Sequence, residues 1–188
     1  MAQSLECRIV GIPATERTGR NLLTLRNAIL EMIAKGADLK ATIDQLCRSI
    51  ESIAPGVVCS VLQLDPEGFL HPLAAPSLPD AYSAALDGLE IGPAVGSCGT
   101  AAFLGEPVIV TDIATDPKWV LFRDAALPLG LKACWSTPIR GERGNVIATF
   151  ALYFHEARGP NATEREAVEA STYLCSIAIE RHNRLIEL

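Results

Sequence analysis

The sequence predicts an α+β fold in which a six-stranded, mostly antiparallel sheet has helices on both faces. Three observations lead to this fold class. Runs rich in β-branched residues are bounded by turn signals, and helical periodicity occupies both ends of the chain. Between them, four glycines and three prolines punctuate residues 91–117, where a short helix and a short strand are expected around tight turns.

The composition excludes several classes of protein. A hydrophobic content of 49% and a mean hydropathy of +0.25 suffice for a packed core, so disorder is not expected. The net charge of −6, without a basic cluster, argues against a nucleic-acid partner. The longest apolar run, residues 146–154, is strand-sized, and the amino terminus does not resemble a secretory signal. A cytoplasmic protein without a membrane partner is therefore expected.

Two helices are predicted near the amino terminus. Residues 1–20 have no period and are interpreted as a flexible leader or linker, and residues 21–188 as a single domain. The apolar stripe of the first helix begins at Asn21, and Asp38 is positioned to cap a second helix that ends before Pro55. Because the first helix is apolar on more than one side, we expect it to contact a partner helix as well as its own domain.

Strand character is found at residues 57–64, 69–75, 107–111, 131–139 and 146–154. Between the second and third stretches, Pro79 begins a short helix, and Gly96 and Gly99 permit the tight turns that precede a helix over residues 100–104. In the last strand, alternation divides the side chains between two faces: Ile147, Thr149, Ala151 and Tyr153 on one, and Val146, Ala148, Phe150, Leu152 and Phe154 on the other.

A long helix closes the sequence. Thr163 and Glu166 have the spacing of a capping box, which predicts its start. The helix has a near-heptad apolar seam, made of Ala167, Ala170, Leu174, Ile177 or Ala178, and Leu185. It reaches the last residue without a stop signal, so we interpret it as a truncated signalling helix that leads to an output domain.

Cysteines and histidines are scattered along the sequence. None of the six cysteines forms a CxxC motif, which in a cytoplasmic chain indicates six separate thiols. His71, His155 and His182 are far apart, and none pairs with a second ligand at metal-binding spacing. We therefore predict no metal site.

Four segments, GSCGTA, GEPVIVTDIATDP, LGLKACWSTPI and GNVIATFALYF, resemble in their order and spacing the GAF family of sensory domains, over roughly residues 22–185. The resemblance implies a non-catalytic sensor of a small molecule, with its pocket between the sheet and the irregular segments 76–86 and 98–129. The surplus apolar faces of the terminal helices favour a homodimer through residues 22–34 and 163–188, which would pass the ligand state to an output domain.

The resemblance leaves the ligand and any cofactor unassigned, because GAF domains bind cyclic nucleotides, haem, bilins, small metabolites or nothing known. Haem-binding and bilin-binding members have a His or Cys near the turn that corresponds to Asp116 and Pro117, and this sequence has neither there. Cyclic-nucleotide-binding members have a late Asn-Lys pair, which is missing after Phe154. These three ligand classes are therefore disfavoured.

Eight candidate ligand-binding residues lie between positions 98 and 149: Cys98, Thr100, Asp112, Trp119, Phe122, Cys134, Trp135 and Thr149. Cys98 is either a ligand-contacting or redox thiol at a helix start, or a small buried residue. The aromatic side chains wall a cavity or fill the core, and Asp112 binds a ligand or closes a turn. Ser60, Ser136 and Thr149 are binding candidates rather than nucleophiles, since no Ser/His/Asp arrangement accompanies them.

Two alternatives to a sensor stay open. The free methionine sulfoxide reductase of this superfamily resembles the chain at GSCGTA, which would make Cys98 a catalytic thiol. Its pattern needs a second cysteine before the segment that begins at Cys134, where this sequence reads AALPLGLKACWS. The other alternative is a GAF-like dimerisation module whose pocket is filled by its own side chains. We predict no catalytic residue.

Overall fold

The computed structural model describes residues 13–186, which are arranged around one sheet. The first half of the chain contains α1 (Ala14–Lys35), α2 (Leu39–Ile53), β1 (Val57–Leu64), β2 (Phe69–Ala74), α3 (Asp80–Ala85) and β3 (Leu89–Glu90). The second half contains α4 (Gly96–Leu104), β4 (Val108–Val110), α5 (Arg123–Ala126), β5 (Ala133–Arg140), β6 (Val146–Phe154) and α6 (Ala162–Ile186). Short 3-10 turns at Pro117–Trp119 and Leu127–Leu129 flank α5.

The six strands form one sheet in the order β3-β2-β1-β6-β5-β4, and its neighbouring strands pair antiparallel. The predicted α+β fold, with long terminal helices and helices on both faces, is confirmed. The five strands that the sequence located are present: the bounds of β1 and β6 are as predicted, and those of β2, β4 and β5 differ by one or two residues. The sixth, β3, is only two residues long and pairs with the start of β2, so no alternating pattern could reveal it.

The first helix begins at Ala14 rather than at the predicted Asn21. Residues 14–20 therefore belong to α1, and the predicted leader boundary at residue 20 is wrong for this segment. Pro13 precedes the first turn with a φ of −52°, and Glu16 lies in that turn, where a negative charge favours the positive end of the helix dipole. The rest of the predicted leader, residues 1–12, lies outside the described residues.

The start of α6 is set by Asn161 and Glu164, two residues before the predicted capping pair of Thr163 and Glu166. The Glu164 backbone N–H donates to Asn161 Oδ1 at 2.9 Å, and the Asn161 N–H donates to Glu164 Oε2 at 2.7 Å. Arg158 donates to both carboxylate oxygens of Glu164, which is only 2% exposed. This ion pair fixes Glu164 as the acidic partner of the capping box.

The sheet has a helix face, covered by α1, α2 and α6, and a pocket face, covered by α3, α4 and residues 111–132. Side chains of β6 alternate between these faces as predicted from Ala148 to Phe154. At the start of the strand the prediction is wrong, since Ile147 packs on the helix face and Val146 on the pocket face. A β-bulge causes the reversal, because Ile139 pairs with Ala148 but the next residue pairs with Val146.

The apolar seam of α6 packs largely inside its own domain. Ala167, Leu174 and Ala178 are buried in the helix-face core, together with the α1 stripe of Leu25, Ile29 and Ile33. The sequence predicts that this seam packs against a partner helix, but these buried residues are not available to a partner. Among the residues that the structure describes, no helix has both the length and the apolar character needed to cross a membrane.

Five free thiols form two groups, one on each face of the sheet, and Cys7 lies outside the described residues. Three of them, Cys47, Cys59 and Cys175, are buried together in the helix-face core. The other two, Cys98 and Cys134, belong to the pocket-face core. Burial is the first cause that raises the pKa of Cys47, and the neighbouring thiols of Cys59 and Cys175 raise it further.

Candidate functional site

A small pocket lies on the pocket face, between the sheet, α3 and the start of α4. Aliphatic side chains of β1 and of residues 86–95 line part of the pocket. The polar and aromatic part of the lining consists of Tyr82, Ser97, Cys98, Trp119, Phe122 and Tyr153. The remaining space measures about 20 Å³, which is room for one water molecule. Its aromatic walls therefore occupy most of the volume in this structure.

Glycines and a threonine set the close packing at the start of α4. Gly96 has a φ of +55°, a backbone conformation that favours glycine. At Gly99, a Cβ atom would lie 2.7 Å from the side chain of Val95, so this position also requires glycine. Thr100 Oγ1 donates to the Gly96 carbonyl at 2.6 Å and accepts from the Val95 N–H at 3.1 Å. Thr100 thus closes the turn rather than facing the pocket.

Polar contacts hold the aromatic wall against the sheet. Trp119 Nε1 donates to Ser97 Oγ at 3.1 Å, and Ser97 Oγ donates to the Cys134 carbonyl at 3.3 Å. The Trp119 ring meets the rings of Phe122 and Tyr153 edge to face, with centroids 6.4 and 6.3 Å apart. This chain of contacts joins β5, α4 and the 3-10 turn into one wall.

Cys98 and Cys134 face each other between α4 and β5. A hydrogen bond from Cys134 is the main cause that lowers the pKa of Cys98, and the hydroxyls of Ser136, Thr149 and Tyr153 act in the same direction against burial. The pKa of Cys134 is raised, first by burial and then by Cys98. Cys98 is therefore the more acidic thiol of the pair, and the nearby hydroxyls of Ser136 and Thr149 do not reach it at hydrogen-bond geometry.

Three buried hydroxyls on the pocket face lack a hydrogen-bond partner within residues 13–186: Ser60, Ser136 and Thr149. All three are at most 1% exposed. Ser60 and Ser136 are both paired with Ala151, from the strands on either side of β6. An unpaired buried hydroxyl costs about 1–3 kcal/mol. None of the three borders the pocket space itself, so we call this group the polar floor behind the pocket.

The structure brings five of the eight predicted residues to this site. Cys98, Trp119 and Phe122 line the pocket, and Cys134 and Thr149 lie behind Cys98. The other three lie elsewhere or have another role, namely Thr100, described above, and Asp112 and Trp135.

Asp112 and Trp135 have structural roles away from the pocket. Asp112 accepts from the Ala114 N–H at 3.0 Å and from Thr115 Oγ1 at 2.9 Å, which closes a turn. The pocket position predicted for Trp135 is wrong, because alternation along β5 places it in the helix-face core. There the Arg165 guanidinium lies 5.5 Å from its ring centroid.

Tyr82, Tyr153 and Ser97 are pocket residues that the sequence analysis did not select. Tyr153 could have been found, because the predicted alternation of the last strand places it on the same face as Thr149. Tyr82 carries no such signal, since α3 is six residues long and Tyr82 is its only buried residue. Burial is the first cause that raises the pKa of both tyrosines, so both phenols stay neutral.

The profile of the GAF domain family matches residues 36–180. A methyl sulfide methyltransferase-associated sensor of Methanosarcina acetivorans is 39% identical over 165 residues, which are 87% of this chain. They are 16% of that sensor, so the chain spans about a sixth of the relative's length.

Solved structures show the same fold at lower identity. The GAF domain of a phosphoenolpyruvate-protein phosphotransferase from Coxiella burnetii has a TM-score of 0.69 at 19% identity, over 88% of this chain and 98% of that one. Free methionine-R-sulfoxide reductase from Neisseria meningitidis, in complex with its substrate, has a TM-score of 0.70 at 13% identity, over 93% and 95% of the two chains. With the family profile covering most of its length, the chain belongs to the GAF domain family.

Proposed function

We propose that this chain is a non-catalytic sensor module, which holds a small molecule in the pocket and passes its presence to an output domain. The observation that carries the proposal is the polar floor behind the pocket, where the hydroxyls of Ser60, Ser136 and Thr149 are buried without a partner within residues 13–186. The Thr137 hydroxyl on the helix face is unpaired too, but only on the pocket face do three such hydroxyls lie on adjacent strands, which favours a role in binding. A relative that is named as a sensor supports the same function.

Strand β5 offers a route from the pocket to the terminal helix. Ser136 faces the pocket side, and the adjacent Trp135 faces α6, where Arg165 lies over its ring. At the end of β5, the Arg140 carbonyl accepts from Ser176 Oγ at 2.7 Å. If β5 can adopt two placements and the ligand binds one of them more tightly, ligand binding would therefore shift α6.

The proposed partner of the terminal helices is a second copy of the chain. Leu23 on α1 and Tyr173 on α6 are more than half exposed, and Arg26 lies 5.9 Å from the Tyr173 ring centroid, so the two helices present a joint apolar surface. In sedimentation velocity, we expect a dimer that Leu23→Glu with Tyr173→Glu converts to a monomer. Leu121→Glu, an exposed apolar position on the pocket side, should leave the dimer intact. A parent protein that is monomeric at high micromolar concentration would contradict this interface.

The buried free thiols support a reducing compartment for the sensor, and we propose the cytoplasm.

Native mass spectrometry of the protein purified from cells tests the sensor function. We expect an added mass on the parent protein, which the double variant Ser136→Ala with Thr149→Val loses because the polar floor is removed. Trp135→Phe, a substitution on the opposite face of β5, should retain it. A parent without added mass would contradict ligand binding and favour the alternative of a self-filled dimerisation module, which the small free space of about 20 Å³ supports.

A thiol reductase that uses Cys98 is the second candidate function. The contact with Cys134 and the lowered pKa of Cys98 favour it. The test is consumption of free methionine sulfoxide by the parent and by Cys98→Ser. Turnover that disappears in the variant would replace the sensor with an enzyme, whereas its absence in both proteins leaves the sensor function standing.

A further inference from the structure

The pocket is lined without a formal charge. Its ionisable side chains are Tyr82, Tyr153 and Cys98, and the residues that border the space include no Lys, Arg, His, Asp or Glu. The nearest cations along the chain from the aromatic wall are Lys118 and Arg123, and neither borders the pocket. Lys118 Nζ lies 3.7 Å from Asp116 Oδ1, and the two terminal nitrogens of Arg123 donate to the carbonyls of Ala114 and Asp116.

The available polar groups suit a neutral acceptor. Gly96, Ser97 and Cys98 form the first turn of α4 and border the pocket, and no side chain caps this helix. First-turn N–H groups have no intrahelical partner, so they point toward an incoming acceptor. The phenols of Tyr82 and Tyr153 add two hydroxyls that are neutral at physiological pH.

A charged ligand would lose more on entry than it could recover. A carboxylate, phosphate or ammonium group would shed its hydration without meeting an opposite charge among the lining residues. The partial positive charge of one short helix does not compensate an unpaired anion in an aromatic enclosure, and it repels a cation. The aromatic edges of Trp119, Phe122 and Tyr153 instead favour a flat apolar body.

Entry requires one wall to move, because the space now fits about one water molecule. One wall of the pocket is α3, a helix of six residues that buries only Tyr82. Displacement of Tyr82, whose ring meets that of Tyr153 edge to face with centroids 6.3 Å apart, would enlarge the pocket. We therefore expect a single-ring ligand to bind by displacing Tyr82.

Resting on the sensor function proposed above, we propose that the pocket takes a small uncharged aromatic or heteroaromatic molecule with one hydrogen-bond acceptor, and that it rejects anions, cations and zwitterions of the same size. This class excludes cyclic nucleotides and free amino acids as ligands. It gives the pocket a selectivity set by the missing charge rather than by one recognition residue.

The test compares three probes of nearly equal shape: benzamide, benzoate and benzylamine, which are neutral, anionic and cationic at neutral pH. Binding is measured by fluorescence of Trp119 in a Trp135→Phe background, where Trp119 is the only tryptophan. We expect benzamide to bind at least about tenfold more tightly than either charged probe, because only the charged probes pay for an unpaired charge. Benzoate or benzylamine binding as tightly as benzamide would overturn the inference.

A charge introduced at the rim should reverse the preference. Leu86→Arg places a cation beside the pocket, and we expect it to favour benzoate over benzamide. Leu121→Arg is the matched control, since Leu121 is 81% exposed and does not border the space, and it should leave the order of the probes unchanged. An unchanged preference in Leu86→Arg would contradict the role assigned to the missing charge.

Native mass spectrometry separates this inference from the sensor function. A retained molecule that carries a phosphate or carboxylate overturns the ligand class but leaves a sensor. No retained mass, together with no binding of the three probes, overturns both proposals.

Discussion

The two faces of the sheet are built from different material. The helix face is covered by helices of 22, 15 and 25 residues, which bury regular stripes such as Ile43, Leu46 and Ile50. The pocket face is covered by helices of six, nine and four residues and by single 3-10 turns. Long helices distribute their packing over many turns, whereas each short element depends on one or two side chains. Stability is therefore concentrated on one face, and the freedom to accommodate a ligand on the other.

Truncation of one aliphatic side chain on each face should show the largest difference. Ile50→Ala removes a fully buried side chain from the helix face and should lower the free energy of unfolding by about 2–5 kcal/mol. Leu86→Ala, at the half-buried rim of the pocket, should cost less than about 1.5 kcal/mol. Urea denaturation measures both. Equal losses would show that the two faces contribute alike.

The anchor of α6 should give the next largest effect. Arg158→Ala leaves the buried Glu164 carboxylate without its cation, and because Arg158 is itself 32% exposed we expect a loss of about 2–3 kcal/mol. Arg184→Ala breaks an ion pair with Glu142 in which both side chains are at least 60% exposed, and it should cost at most about 1 kcal/mol. Chemical denaturation of both variants compares them. A similar loss in the two would mean that burial of Glu164 does not matter.

The capping box predicts a smaller effect at the same end of the helix face. Asn161→Ala removes the side-chain acceptor of the Glu164 N–H and should cost about 1 kcal/mol. Thr163→Ala, at the capping position that the sequence suggested, should change stability by less than about 0.5 kcal/mol. The reverse order in thermal unfolding would restore the cap predicted from the sequence.

The smallest effect is expected at an exposed contact of the β1–β2 hairpin. His71 lies between Asp65 and Asp87, with nitrogen–oxygen distances of 2.9 and 2.7 Å. Its pKa is raised, first by the hydrogen bond with Asp65 and then by that with Asp87, and the pKa of Asp65 is lowered, first by His71. The raised His71 pKa stabilises the fold fully below pH 6.5, and this contribution is lost as the pH rises through the folded pKa.

The Asp65 contribution has the opposite direction, being present above pH 3.8 and lost as the pH falls. The melting temperature of the parent should therefore exceed that of His71→Gln most clearly between these two values, and the difference should shrink at alkaline pH. A difference that is constant from pH 5 to pH 9 would rule out titration of this contact. The contact belongs to neither covered face. The melting temperatures of Ile50→Ala and Leu86→Ala should therefore change with pH in the same way as that of the parent.

Regular elements were predictable from the sequence because their periods are long enough to read. The stripe of α2 and the alternation from Ala148 to Phe154 are examples, and both survive in the structure. The start of α6 was misplaced because Thr163 and Asn161 both suit a helix cap, and only the buried ion pair with Arg158 decides between them. At Val146 the side chains change faces because of a β-bulge, which the alternation of apolar residues in the sequence does not predict.

The pocket was less predictable, because it is assembled from positions distant in the sequence. Cys98 and Trp119 were found through their irregular surroundings, and they do line the space. Trp135 was misassigned since nearness to other aromatics along the chain says nothing about the face of a strand. The contact between Cys98 and Cys134, 36 positions later, could not be predicted, because it depends on the packing of α4 against β5.

Because free thiols are buried on both faces of the sheet, their alkylation rates report separately on the opening of each face. Alkylation of Cys98 and Cys134 would proceed at the rate at which the pocket wall detaches, whereas Cys47, Cys59 and Cys175 would react only when the helical layer separates from the sheet. Both rates can be read by mass spectrometry from one sample. The unmodified protein thus carries built-in reporters that distinguish breathing of the pocket from complete unfolding.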